Sequence, residues 1–166
     1  MDSAREPAPI DHAQSIVNAL GDGAYVLDAD RNRVFVNDRL REVTGFDEAV
    51  LHDEHPERLV EAGYWSAETG ERYRAAAERV LGGAVDDERV QLAMTLADGS
   101  EMITETRLSP IERNGAVVGV VGVIRDVTDR VERQRELERL NERLERLAGF
   151  LSHDLRSPLS VARGYV

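Results

Sequence analysis

The chain has 166 residues, 42% of them hydrophobic, which is room for one ordinary domain and an extension. It has no cysteine, so disulfides, iron–sulfur ligation, thiolate zinc sites and cysteine nucleophiles are excluded. The net charge of −11 sits in residues 1–126, which hold 25 acidic residues against 13 Arg, whereas residues 127–166 hold 7 against 8; that acidity argues against nonspecific nucleic-acid or anionic-membrane binding.

The opening MDSAREPAP reads as a disordered lead with two prolines. IDHAQSIVNAL follows as a helix that Asp11 can cap, its start falling within a lead segment 1–14. GDG breaks the chain. AYVLDADRNRVFVND then contains two short strands, Ala24–Leu27 and Arg33–Val36, around the polar turn DADRN. NDRLREVTGF has a capping Asn37 at its start and Gly45 at its end, the signature of a short helix. The stretch from Asp47 to Gly83 is helical in character. Its clearest part is SAETGERYRAAAERVLGG, where Tyr73, Ala76, Ala77, Val80 and Leu81 recur at helical spacing before Gly82-Gly83.

Beyond Gly83 the period becomes two. ERVQLAMTLADGSEMITETRLSPIERNGAVVGVVGVIRDV predicts three long strands with tight turns at Asp98-Gly99 and Asn114-Gly115, both dipeptides that tolerate positive φ. The longest apolar run, Ala116–Ile124, is interrupted by Gly119 and Gly122 and falls far short of the ~20 residues of a membrane helix. The N-terminus lacks a basic-then-apolar signal. The expectation is a soluble cytoplasmic chain without membrane insertion. Helix, two strands, helices and a three-stranded meander make an α+β layout: an antiparallel sheet flanked by helices.

That order resembles the PAS sensor family over roughly Ser15 to Arg130, with the sensor domain expected at 15–126. GAYVLDADRNRVFVND resembles the family's opening hairpin, VTGF the end of its short helix, and DGS its penultimate hairpin turn. GVVGVIRDVTDR resembles its last strand with the closing Asp-x-Thr signature, carried by Asp126 and Thr128. The resemblance implies that these two residues transmit the signal and that the core can hold a small ligand of unknown kind. The light-sensing flavin branch of the family uses a reactive cysteine that this chain lacks; a noncovalent flavin or small ligand stays open. Trp65, Tyr64 and Tyr73 read as core or rim packing rather than a cofactor box. His52 and His55, beside Asp53 and Glu54, raise a metal or haem site, but a solvated polar loop before Pro56 is the favoured reading and no metal is expected.

After Thr128 comes DRVERQRELERLNERLERLAGFL. Leu137, Leu140, Leu144, Leu147 and Leu151 are spaced 3, 4, 3, 4, the period of a coiled-coil seam, and Glu and Arg fill the other faces. Upstream, Val127, Val131, Gln134 and Leu137 run 4, 3, 3, which should disturb the supercoil locally. The alternative, an amphipathic helix folded back on the domain, would show a wider apolar stripe; a parallel homodimer is favoured, with a coiled-coil signalling helix over 127–149. A continuous helix from Val127 to Leu151 would be about 36 Å long.

The last segment, 150–166, opens with FLSHDLRSPLS. With Leu151 on the seam, His153 lies about 200° round the helix and faces away from it. Asp154 adjoins it, and Pro158 can give no N–H to the Asp154 carbonyl, so the helix should kink or loosen there. FLSHDLRSPL resembles the H-box of sensor histidine kinases, with SVARGYV continuing the same helix. The resemblance implies that His153 is the phosphoacceptor, Asp154 its orienting acid or base, and Pro158 the family's helix-kinking proline. Ser157 stands where the best-known members carry Thr or Asn for orienting a water, which puts a phosphatase role in doubt. It further implies ATP and Mg²⁺ as cofactors of a longer protein, a response-regulator receiver domain as partner, and a chain cut inside the first helix of the phosphoacceptor domain, inactive alone. A PAS ligand-binding or dimerisation module without phosphotransfer is the rival from another class. All 21 basic residues are Arg, a composition that resembles proteins of salt-loving, GC-rich microbes such as the haloarchaea.

Overall fold

The computed structural model describes residues 21–51, 55 and 58–162, and side chains up to Arg156. The helix expected over Ile10–Leu20 lies outside the described residues, as do His12 and His52. Two compact units divide at Val127.

The first unit is built on a five-stranded antiparallel sheet. Its strands are β1 (Gly23–Asp28), β2 (Arg33–Val36), β3 (Glu88–Thr95), β4 (Glu101–Arg113) and β5 (Ala116–Asp126). The spatial order is β2-β1-β5-β4-β3, so the last strand lies beside the first in the middle of the sheet. Tyr25 pairs with Gly122, and Leu27 with Val120. Between β2 and β3 run four helices: α1 (Asp38–Thr44), α2 (Glu48–Leu51), α3 (Arg58–Glu61) and α4 (Ala67–Leu81).

Local chemistry explains the element ends. Asn37 caps α1: its Oδ1 accepts from Leu40 N at 3.0 Å and from Ala24 N at 2.8 Å, while its Nδ2 donates to the Asp22 carbonyl. One buried amide therefore starts a helix and ties it to the first strand. Gly45 ends α1 at φ 65°, a conformation that costs glycine little. Ser66 caps α4 by accepting from Thr69 N at 3.1 Å. Tyr73, Ala76, Ala77 and Val80 form the buried face of α4, and the two alanines let it lie close against β3, β4 and β5.

The two predicted turns differ in kind. Asn114 and Gly115 both have positive φ, 54° and 78°, the two-residue turn expected. At the other, only Gly99 is left-handed, at φ 84°. Gly99 N donates to the Leu96 carbonyl and Leu96 N to the Ser100 carbonyl, so the loop is the three residues 97–99. The Asp98 carboxylate accepts from Ser100 N and Oγ, which leaves Asp98 in ordinary backbone space and corrects the expectation of a two-residue turn there.

Alternation along the sheet places Met102, Thr104, Thr106 and Leu108 of β4 on the inner face with Leu92, Met94, Val120 and Ile124. With Leu27, Val36, Leu40 and the buried face of α4 they form one core. Fully burying a side chain of Leu or Val size contributes about 1.5–3 kcal/mol relative to exposure. The second unit is one helix, α5 (Thr128–Ala162). The helix runs through Pro158, so the proline does not end it. A single proline removes one backbone bond while its neighbours keep theirs. Among the described residues no helix is long and apolar enough to cross a membrane.

Candidate functional site

The core of the first unit encloses a cavity of about 30 Å³ between the inner sheet face and the helices. Its wall is mostly apolar, with Leu51, Leu59, Met94 and Ile124 among the lining. Two tyrosines close one side. Tyr25 Oη and Tyr73 Oη lie 2.8 Å apart, and Tyr73 packs on Trp65 with ring centroids at 5.0 Å. Burial pushes the Tyr25 phenol far above its ordinary range, against the lowering effects of the Tyr73 hydrogen bond and the Arg33 charge. The Arg33 guanidinium, 6.0 Å from the Tyr25 ring, donates to the Leu51 carbonyl at 2.7 Å and the Val50 carbonyl at 3.2 Å. It thereby holds α2 against the hairpin of β1 and β2.

Tyr25 is seated by a glycine. A Cβ built on Gly122 would stand 2.1 Å from Tyr25 Cζ, so the bare backbone of β5 is what lets the ring lie there. Ile124, two residues on, also lines the cavity. Val127 follows, buried, with its N–H donating to the Ile103 carbonyl at 2.9 Å. The wall of the cavity is thus three residues from the domain's last anchored residue, and α5 starts at the next position.

The sequence-derived residues fall in three places. Asp126 is the exposed last residue of β5, opposite Thr104. Thr128 is the first residue of α5. His153 and Asp154 are exposed on α5, while Ser157 and Pro158 lie in its backbone with side chains outside the described residues. The seam leucines are exposed as well, Leu137 by 67% and Leu144 by 63%. Exposure in a single chain therefore does not set the histidine's face apart from the leucine face; the angular spacing along the helix does. Val127, read above as the first seam position, belongs to the sheet unit, because its side chain is buried there.

His55 is half-buried, and its carbonyl accepts from Arg58 N at the start of α3. Among the described residues no three His, Asp or Glu side chains gather as metal ligands. Trp65 and Tyr73 are core residues and Tyr64 packs on Phe46 with centroids at 4.2 Å, but Trp65 and Tyr73 also face the cavity. Sequence reasoning missed Arg33 and Thr106 as lining residues. Thr106 had a signal, a polar residue at an inward position of an alternating strand.

The profile of a protein family described as PAS fold matches residues 17–132. The chain belongs to the PAS fold family. No curated protein matches it. Solved structures share the PAS fold at low identity. The RNA-binding Light-Oxygen-Voltage receptor is 22% identical with a TM-score of 0.65, over 86% of this chain and 40% of that one. A sensory box histidine kinase/response regulator from Burkholderia thailandensis is 21% identical with a TM-score of 0.61, over 81% of this chain and 98% of that one. The PAS domain of an HTR-like protein from Haloarcula marismortui is 21% identical with a TM-score of 0.51, over 70% and 90%. At these identities the likeness concerns the fold alone.

Proposed function

We propose that the chain is the sensor and transmitter part of a cytoplasmic two-component histidine kinase. Its PAS domain controls ATP-dependent phosphorylation of His153, from which the phosphoryl group passes to a response-regulator Asp. The observation that carries the reading is the sequence FLSHDLRSPL on a helix that begins one residue after the last anchored residue of the PAS domain. One of the similar structures, a sensory box histidine kinase/response regulator, supports the reading.

The chemistry asks little of the chain beyond position. Neutral imidazole is a usable nucleophile near neutral pH. One ring nitrogen forms the N–P bond as the bond from the γ-phosphorus to the ADP oxygen breaks. The other ring N–H gives its hydrogen bond, or its proton, to Asp154, which fixes the tautomer and offsets the charge arising on the ring. ATP and Mg²⁺ are supplied by a nucleotide-binding domain of the longer protein. Two chains zip along Leu137–Leu151, and strain in β5 reaches His153 through α5 as torsion or altered helix packing. The excess of acid over Arg, with no Lys, fits a protein that works in concentrated salt.

The test is autophosphorylation of the full-length gene product from γ-labelled ATP. The expected label is acid-labile and absent from His153→Gln. Undiminished labelling of that variant removes His153 from the mechanism; a full-length product that takes no label leaves the PAS module without phosphotransfer as the reading.

A further inference from the structure

The seam of α5 runs from Leu137 to Leu151, and its leucines are each 50% or more exposed in one chain. The helix itself begins nine residues earlier, at Thr128, without a break. Carried back by one heptad, the positions of Leu137 and Leu140 fall on Arg130 and Arg133, both exposed. Among residues 128–136 the one hydrophobic side chain is Val131. It lies about a third of a turn off the seam and is half-buried within the single chain, so it supplies no layer. Two arginine layers therefore precede the leucine layers of α5.

Two copies in the parallel leucine register set Arg130 against Arg130 and Arg133 against Arg133. The acids of the segment, Asp129, Glu132 and Glu136, fall at the g, c and g positions. Asp129 flanks the Arg130 layer and can answer it across the seam. The Arg133 layer has no such answer, because its neighbours in the second copy are Arg130, Arg133, Gln134 and Leu137. Within its own helix Arg133 Nε donates to the Asp129 carbonyl at 2.9 Å, a bond to backbone that leaves the positive charge in place. Packed helix axes stand about 8–10 Å apart. The screening length is about 10 Å in 0.1 M salt and about 3 Å in 1 M, so facing guanidiniums repel in dilute salt and hardly at all in concentrated salt. We propose that Arg130 and Arg133 make the start of α5 a charge-gated fork. Two helices that zip from Leu137 onward stand apart over residues 128–136 in dilute salt and close there when salt screens the guanidiniums.

This fork rests on the parallel dimer of the functional reading and adds a setting to it. A change in β5 reaches the leucine seam only through residues 128–136. Open, that segment is two separate helices that turn independently. Closed, it extends the supercoil and carries rotation from one end to the other. Ionic strength thereby sets how tightly the sensor is coupled to His153.

The chain has no cysteine, so Arg135→Cys and Glu142→Cys each give one labelling site per copy. The two positions are one heptad apart, both at f, and stand equally far from their counterparts in a uniformly zipped dimer. Spin labels at each, measured by dipolar electron resonance, should show a separation several ångströms larger at 135 than at 142 in roughly 0.1 M salt, with the excess vanishing at about 1 M. The double variant Arg130→Leu, Arg133→Leu should lack the excess in both conditions. It should also tighten the dimer by about tenfold or more in sedimentation equilibrium, at any salt concentration that keeps the domain folded, because leucine layers replace charged ones. Equal separations at the two positions in dilute salt, an excess that persists in the double variant, or unchanged association of that variant overturns the fork. Absence of a dipolar signal at 142 removes the dimer and the fork with it, whereas a fork refuted with that signal intact leaves the functional reading standing.

Discussion

At the scale of single residues, the domain depends on contacts that distant parts of the chain make with one another. Gly122 shows this best. Its nearest side chain is Tyr25, 97 positions earlier, and the ring occupies the space a Cβ would need. Gly122→Ala is expected to destabilise the domain by about 1–3 kcal/mol, the usual cost of overpacking a core. It should also break the 2.8 Å bond between Tyr25 and Tyr73. Thermal denaturation checks the first effect; an unchanged melting temperature would mean that the ring moves aside freely. Asp28 makes a second residue-scale prediction. Partial desolvation pushes its carboxyl upward, but donors from the Asn32 side chain and backbone and from Asp30 N outweigh this and hold it below its ordinary value of 3.8. A carboxylate lowered on folding stabilises the native state at pH above its unfolded value. That contribution is lost as pH falls through the lower folded value. Between about pH 5 and about pH 2 the native chain should therefore lose more stability than Asp28→Asn does. Parallel pH profiles for the two would show that the turn carboxylate is uncoupled from folding. Gly122 does not stand out by spacing alone, because it acquires its meaning only from a neighbour on another strand.

At the scale of elements, sequence and structure agree most where the determinants are local. The strand Arg33–Val36 and the helix between Asn37 and Gly45 have the same bounds in both, since a capping side chain, a left-handed glycine and a short alternation act within a few residues. The hairpin at Asn114-Gly115 was legible for the same reason. The loop at Asp98-Gly99 was placed correctly but has a different geometry. There the aspartate's side-chain bonds to Ser100, not its backbone freedom, decide the turn. For α5 the leucine spacing predicts a partner. Leu140 and Leu147 are half or more exposed in one chain, an arrangement that a second copy would cover. The double variant Leu140→Glu, Leu147→Glu should convert a dimer to a monomer in sedimentation equilibrium, weakening association by about a hundredfold or more, because charges would replace two seam layers. Retention of the dimer would place the association on another surface, and a monomeric native chain would refute the seam.

At the scale of the whole molecule, the informative fact is the strand order. No local signal puts β5 beside β1; that pairing joins the two ends of the domain, and it brings the last strand to the centre of the sheet, along the cavity wall. The chain then leaves the domain through Val127, whose backbone bond to Ile103 anchors the point of exit, and continues at once as α5. Composition and periodicity could reveal a sheet, helices and a connector, but not that the connector starts four residues from the cavity wall. The account requires that the end of this route be chemically competent, and trypsin offers a direct reading. Cleavage after Arg146 and Arg156 releases one peptide, Leu147–Arg156, in which His153 is the single histidine. After incubation of the full-length gene product with ATP and Mg²⁺, mass spectrometry at neutral pH should find the phosphate on this peptide and on that imidazole. Phosphate confined to any other peptide, with this one unmodified, would contradict the account.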